Sequence, residues 1–375
     1  MNPYDFARID WARPPERRRP IWHHRLTAQD GHPLYSGHLE VDLYAETPLF
    51  IANPRTVSPD PKKPAQFMQN NHNEYIIPGS SLKGLLRCVV ETLGNGCLTL
   101  FDSQYERGRI NYSREVPKDF QHCSENTQLC MACRIFGMLK ERTGGVFLGK
   151  VNISDATAYP DKIYKYDPIY TKPLMEPKPH HASFYLDESR QHIAGRKYYF
   201  HHPNTYEPLT ERGLIFMGGR PANRYIEPLD TDTQFRFRLD FTNLEADEFA
   251  AVLLAITLEE GMRHKIGYGK PLGLGSVYLY PTRLTLVDYA SRYTQVGNGH
   301  GTKVLEKESG LWQLIQEHID SFYAKHLVTI AMEDLRCIWR WPPQPDVDYY
   351  YPSKRDWFDT EESRGKRIAD TKHVP

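Results

Sequence analysis

The clearest hydrophobic pattern lies at residues 80–93, where Leu82, Leu85, Leu86, Val89, Val90 and Leu93 recur at helical spacing. It predicts an amphipathic helix with Lys83, Arg87 and Glu91 in a separate charged stripe, ended by Gly94 and Gly96. A second helix is expected over 244–260. Phe249, Val252, Leu253 and Ile256 would form its buried stripe, and Thr242 with Glu245 fits a capping box at its start. Strict alternation marks strands. Leu39, Val41 and Leu43 oppose His38, Glu40 and Asp42 within 35–51, and T-Q-F-R-F-R-L-D-F repeats the pattern over 233–241. Further strands are expected at 145–153, after Gly144-Gly145, and at 276–285.

Stripped of the segments between them, these elements run strand, helix, strand, strand, helix, strand. The fold class is therefore α+β, a ferredoxin-like or RRM-like β-α-β-β-α-β core with large insertions and a helical C-terminal extension. Residues 1–33 read as an N-terminal arm, 34–285 as the core and 286–375 as the extension, with a helix expected around 304–327. Inside the core, 97–135 is a cysteine-bearing region and 145–230 an insertion rich in His and aromatics. Residues 52–74, with four Pro, read as a long loop.

Composition narrows the partners little. Forty-seven Lys and Arg balance forty-seven Asp and Glu, so bulk charge argues for no partner, and any anion site must be local. One such concentration is the arm, where Arg13, Arg17, Arg18, Arg19 and Arg25 face one Glu; it reads as a solvated segment or as one that meets phosphate or an acidic neighbour. The longest apolar run, Phe249 to Leu258, is half what a membrane span needs, and the N-terminus lacks an apolar signal region, so a cytoplasmic protein is expected.

Four segments carry candidate chemistry. In I-I-P-G-S-S-L-K-G-L-L-R (76–87), Pro78 and Gly79 turn the chain into the first helix, and Ser80 and Ser81 stand at its start. Unpaired amides and the positive end of the helix dipole favour phosphate there, and Lys83 and Arg87 share one face four residues apart. The turn I-G-Y-G-K-P-L-G-L-G-S (266–276) lacks the spacing and strand-to-helix order of a dinucleotide fingerprint. Gly267 and Gly269 leave it able to approach another backbone, with Lys270 in reach of a phosphate. Cys130-x-x-Cys133, with Cys123 upstream, fits structural zinc, the fourth ligand coming from Cys97 or His122. Lastly, Arg196 and Lys197 interleave with Tyr198, Tyr199 and Phe200 beside His201 and His202, which suits stacking and phosphate neutralisation as well as an aromatic strand in the core.

Taken together, 76–87, Cys130-x-x-Cys133-x-Ile135-Phe136-Gly137, V-N-I-S-D-A (151–156) and 267–277 resemble the RAMP superfamily, the RRM-like backbone proteins of type III CRISPR effector complexes. The opening N-P-Y-D-F and G-R-K-Y-Y-F-H-H-P (195–203) are similar to a subfamily from III-D-like loci. The resemblance implies a protein of antiviral defence that binds CRISPR guide RNA along its sugar-phosphate backbone. It would present that guide to target RNA beside other RAMP-type subunits and the large subunit, with a thumb drawn from the insertion. It further implies guide contacts at Gly79, Ser80, Ser81, Lys83 and Arg87, the turn with Lys270 packing beside them, and a zinc knuckle at the cysteines. Relatives that cut target RNA carry an Asp on the loop before this helix and need a divalent metal. Asp60, between Pro59 and Pro61, is the candidate here, with Mg²⁺ as its ion. A guide-processing nuclease acting through His180, His181, His201 and His202 is a third reading.

Overall fold

The computed structural model describes residues 2–25, 31–32, 34–54, 62–98, 116–139, 146–174, 182–202, 210–294, 301–307, 310–345, and 347, 349, 363, 366 and 368. The elements that position the sites are β1 (Tyr4–Ala7), β2 (Tyr35–Ala45), α1 (Gly79–Leu93), α2 (Met131–Phe136), β3 (Val151–Ile153), β4 (Ala156–Ala158), β5 (Arg196–Tyr199) and β6 (Gln234–Leu244). They continue with α3 (Ala246–Thr257), β7 (Ser276–Val287), β8 (Thr302–Glu306), α4 (Leu311–Lys325) and α5 (Thr329–Ile338).

The central sheet runs β7-β2-β6 and then β3 with β4, all antiparallel, which is the 4-1-3-2 order of a ferredoxin-like core. Alternation sets its two faces. Val41 pairs with Phe237 and Leu39 with Leu239, and all four point into the core. Each such side chain contributes roughly 2 kcal/mol on burial. On the other face Asp42 pairs with Arg236 and Glu40 with Arg238. Arg236 Nε donates to Asp42 Oδ1 at 2.7 Å, and Tyr159 Oη donates to the same oxygen at 2.9 Å. The open face thus carries cross-strand charges beside a tyrosine group, in which Tyr44 pairs with Tyr278 across β2 and β7 at a ring separation of 6.3 Å and Tyr280 adjoins Tyr278.

Helices α1 and α3 cover the inner face. Every residue of α3 from Glu248 to Ile256 is buried, because the helix lies between the sheet, α1 and α4. Its capping box is formed by Glu245 and Glu248, three residues later than the expected Thr242 and Glu245. The cause is that β6 runs on to Leu244, so the Thr242 amide donates to the Lys150 carbonyl. The expected strand at 145–153 divides: Val146–Leu148 pairs with Gly137–Leu139 in a separate hairpin, and only β3 joins the sheet. The helix expected at 304–327 begins at Leu311, since T-K-V-L-E pairs with the free edge of β7 as β8 and Gly310 adopts a left-handed turn. The extension shares the main hydrophobic core through Leu311, Ile315, Phe322, Met332, Leu335 and Trp339.

Three of the five arginines of the arm meet their own chain. Arg18 pairs with Asp247 at 2.7 Å, Arg17 donates to the carbonyls of Asp119 and Gln121, and Arg13 to those of His326 and Leu327. Beyond them β1 pairs with β5.

Candidate nucleic-acid interface and metal centre

A short strand, Ile76–Ile77, pairs with β4 and delivers Pro78 to the start of α1. Gly79 is required there, because a Cβ would stand 2.1 Å from the Ile153 carbonyl oxygen. Its amide donates to Asp155 Oδ1 at 2.8 Å, so a carboxylate of V-N-I-S-D-A already caps the helix. The amides of Ser81 and Leu82 return to the Pro78 carbonyl. Of the expected cations, Lys83 donates to the Val151 carbonyl at 3.1 Å. Arg87 bonds Glu91 and the Gly137 carbonyl and approaches Cys133 Sγ at 3.5 Å. The outer face of α1 is instead lined by Ser80, Gly84 and Cys88, one row at i, i+4 and i+8, all exposed. A Cβ on Gly84 would meet nothing within 4 Å among the described residues.

Two lysines stand at the end of this row. The Gly-rich turn packs on the segment after β2: Gly267 (φ 87°) lets the backbone touch the Phe50 carbonyl, with the Tyr268 amide 2.9 Å from that oxygen. Gly269 (φ 75°) then starts a short 3₁₀ turn at Lys270. Lys270 lies within electrostatic reach of Cys88 and of Lys197. Lys197 lays its ammonium over the Tyr4 ring, 3.7 Å from the centroid, and Lys270 is 5.9 Å from the Tyr199 ring. Among the described residues neither lysine has a carboxylate partner. Desolvation by the surrounding chain, and then Lys270, holds Lys197 down to about 8. Lys270 is lowered mainly by burial. Arg196, expected beside Lys197 in the same role, turns inward to Glu91 and to the carbonyls of Gly96 and Cys97.

The cysteines form a second site. Cys130 caps α2 and Cys133 follows one turn later, so both sulfurs share a face. Cys123 closes from the preceding loop, its sulfur accepting the Cys130 amide at 3.3 Å. Cys97 arrives from the turn after α1. All four are buried, and their sulfurs lie within 4.8 Å of one another. The Cys97–Cys133 separation is 3.7 Å, which matches the roughly 3.8 Å tetrahedron edge that a 2.3 Å Zn–S bond requires. Hydrogen bonding from Cys123 pulls the Cys130 thiol down, while Cys97 and Cys133 are pushed up, as expected of sulfurs that cannot all ionise without a cation. The set could hold a metal ion such as zinc. The fourth member of the cluster that the structure brings together is Cys97.

α2 is anchored by a buried ionic group. Arg134 Nε and Lys150 Nζ both donate to Glu248 at 2.7 Å, and the three side chains are at most 1% exposed. The remaining candidates separate. His201 is interior, its Nδ1 2.7 Å from Ser276 Oγ and its Nε2 3.0 Å from the Arg263 carbonyl oxygen. His202 is buried beside it, and burial holds both rings neutral. Neither is set up to exchange protons with a substrate. Asp60, His180 and His181 lie outside the described residues. Asp155 and Gly84 were not singled out by sequence reasoning, although both stand in the motifs that carried the resemblance.

No helix among the described residues is long and apolar enough to cross a membrane. No curated protein matches the chain. A family model described as the RAMP superfamily matches residues 42–278, more than half of the chain, a span that starts within β2, ends within β7 and holds α1, the cysteine cluster and the lysine turn. The chain belongs to the RAMP superfamily.

Proposed function

We propose that this protein is a guide-RNA-binding backbone subunit of a type III CRISPR ribonucleoprotein, and that it grips the sugar-phosphate backbone between the outer face of α1 and the pair Lys197 and Lys270. Family membership already implies a CRISPR-associated RNA-binding subunit that works beside other effector subunits. The single observation that carries the finer reading is the lysine pair: two mutually repelling cations beside a helix face of small residues, with no carboxylate on either among the described residues. Phosphates would relieve that repulsion. From Ser80 to Cys88 the row spans about 12 Å at 1.5 Å per residue, room for about two phosphates. Small side chains and an exposed glycine let a ribose-phosphate strand come close. Contacts of this kind carry no sequence information, which suits a subunit that must hold any guide.

The test is RNA affinity of the purified protein and of K197Q/K270Q for two unrelated single strands of equal length. The expected result is equal affinity of the native protein for both and an equal loss for both in the variant. A loss confined to one sequence, or none, contradicts the proposal.

A further inference from the structure

We propose that Arg87, Glu91 and Arg196 form the outer shell of the four-cysteine metal centre, and that the two arginines serve the metal rather than a phosphate. Arg87 has three commitments: Nε to Glu91 Oε1 at 2.8 Å, Nη1 to the Gly137 carbonyl at 2.9 Å and Nη2 to Cys133 Sγ at 3.5 Å. Arg196 mirrors it on the other side. Its Nη1 lies 3.1 Å from Glu91 Oε2, and its Nη2 donates to the carbonyls of Gly96 at 2.8 Å and Cys97 at 2.9 Å. One carboxylate therefore ties together two guanidinium groups, one holding a ligand sulfur and the other the backbone of a second ligand. The Glu91 side chain is only 11% exposed, and those of Arg87 and Arg196 are 26% and 15%.

The charge balance explains the arrangement. Four thiolates around a divalent cation carry a net charge of minus two in a buried place, which needs nearby cations. Two arginines and one glutamate supply a net positive charge, directed at the sulfur cluster by the hydrogen bonds just named. The fork of each guanidinium fixes ligand orientation as well as charge, a task that lysine performs less well. Arg87 and Glu91 lie on α1 three and seven residues after Gly84, so the outer shell adjoins the exposed Ser80–Gly84–Cys88 row on the same helix. The metal thereby sets the rotation and seating of the helix that faces RNA.

This inference rests on the metal-centre reading and is independent of the RNA reading. The experiment is competition for Zn²⁺ between the protein and the chelator 4-(2-pyridylazo)resorcinol, on the native chain, R87M, R196M and R87K, with RNA affinity measured on the zinc-saturated proteins. Expected are a roughly 10–100-fold weaker hold on Zn²⁺ in R87M and in R196M, and partial recovery in R87K. RNA affinity of zinc-saturated R87M should stay within about twofold of native. Should R87M fail to fold, R87K and R196M make the same comparison. Unchanged zinc affinity in the variants, or lost RNA affinity without a change in zinc affinity, overturns the proposal. Native protein that takes up no zinc overturns the metal reading itself and leaves the RNA reading standing.

Discussion

Lys197 shows how local surroundings change the chemistry of a lysine that the proposal assigns to phosphate. Its ammonium titrates near 8, first because the chain around it strips water and then because Lys270 repels it. A lysine lowered on folding loses its proton before the unfolded chain does. Its cost to stability is complete below about 8 and is relieved as pH rises toward the free-lysine range near 10.4. Bound phosphate acts in the opposite sense and keeps the proton in place. RNA affinity is therefore expected to be greatest below pH 8 and to fall by up to roughly tenfold between pH 7 and pH 9. The dependence should flatten in K197R, as read by anisotropy of a labelled strand at constant ionic strength. Glu248 makes a different kind of claim. Removing it strands Arg134 and Lys150 without their buried partner. E248A is expected to lose about 3–5 kcal/mol in urea unfolding, whereas a surface pair would cost under about 1 kcal/mol. Lys197 and Lys270 were legible in the sequence as candidate phosphate contacts, whereas Glu248 and its partners were not. Lys150 and Glu248 are nearly a hundred positions apart, and periodicity carries no information about which buried charges meet.

At the scale of the element, the sequence was most informative where one face is buried. Helix α1 begins within one residue of its expected start, and Leu82, Leu86, Val89, Val90 and Leu93 are buried as the pattern requires. The charged stripe on the same helix was legible as charge but not as role. Lys83, Arg87 and Glu91 all turn inward to partners supplied by β3, the hairpin and β5, elements that only the fold brings near. The exposed glycine is the remaining oddity. In the middle of a helix it costs up to about 1 kcal/mol relative to alanine, and nothing in the protein requires it. G84A is therefore expected to raise stability in thermal unfolding while weakening RNA binding, because the added methyl would stand where the strand approaches. A variant that is more stable and binds RNA as well as the native chain would show that this face is not used.

For the molecule as a whole, the order of six core elements was enough to reach the ferredoxin-like topology, since alternation and helical spacing survive the long excursions between them. What escaped were the pieces held by distant partners. Examples are β1 against β5, the arm arginines on carbonyls and Asp247, β8 on the edge of β7, and α5 packed on β1. The cysteines are an intermediate case: spacing supplied three donors, and only folding could bring Cys97 from the end of α1 to complete the set. The resulting architecture sets the cysteine cluster and the exposed Ser80–Gly84–Cys88 row along one helix, with Lys270 within reach of Cys88, and the proposed path of the polynucleotide follows that row. Its most direct test is the salt dependence of RNA affinity in the native protein and in K197Q/K270Q. If both lysines neutralise phosphates, the slope of log affinity against log salt should be shallower in the variant by about 1.4, roughly 0.7 for each phosphate of a single strand that the variant leaves to its counterions. An unchanged slope would mean that the polynucleotide lies elsewhere on the protein.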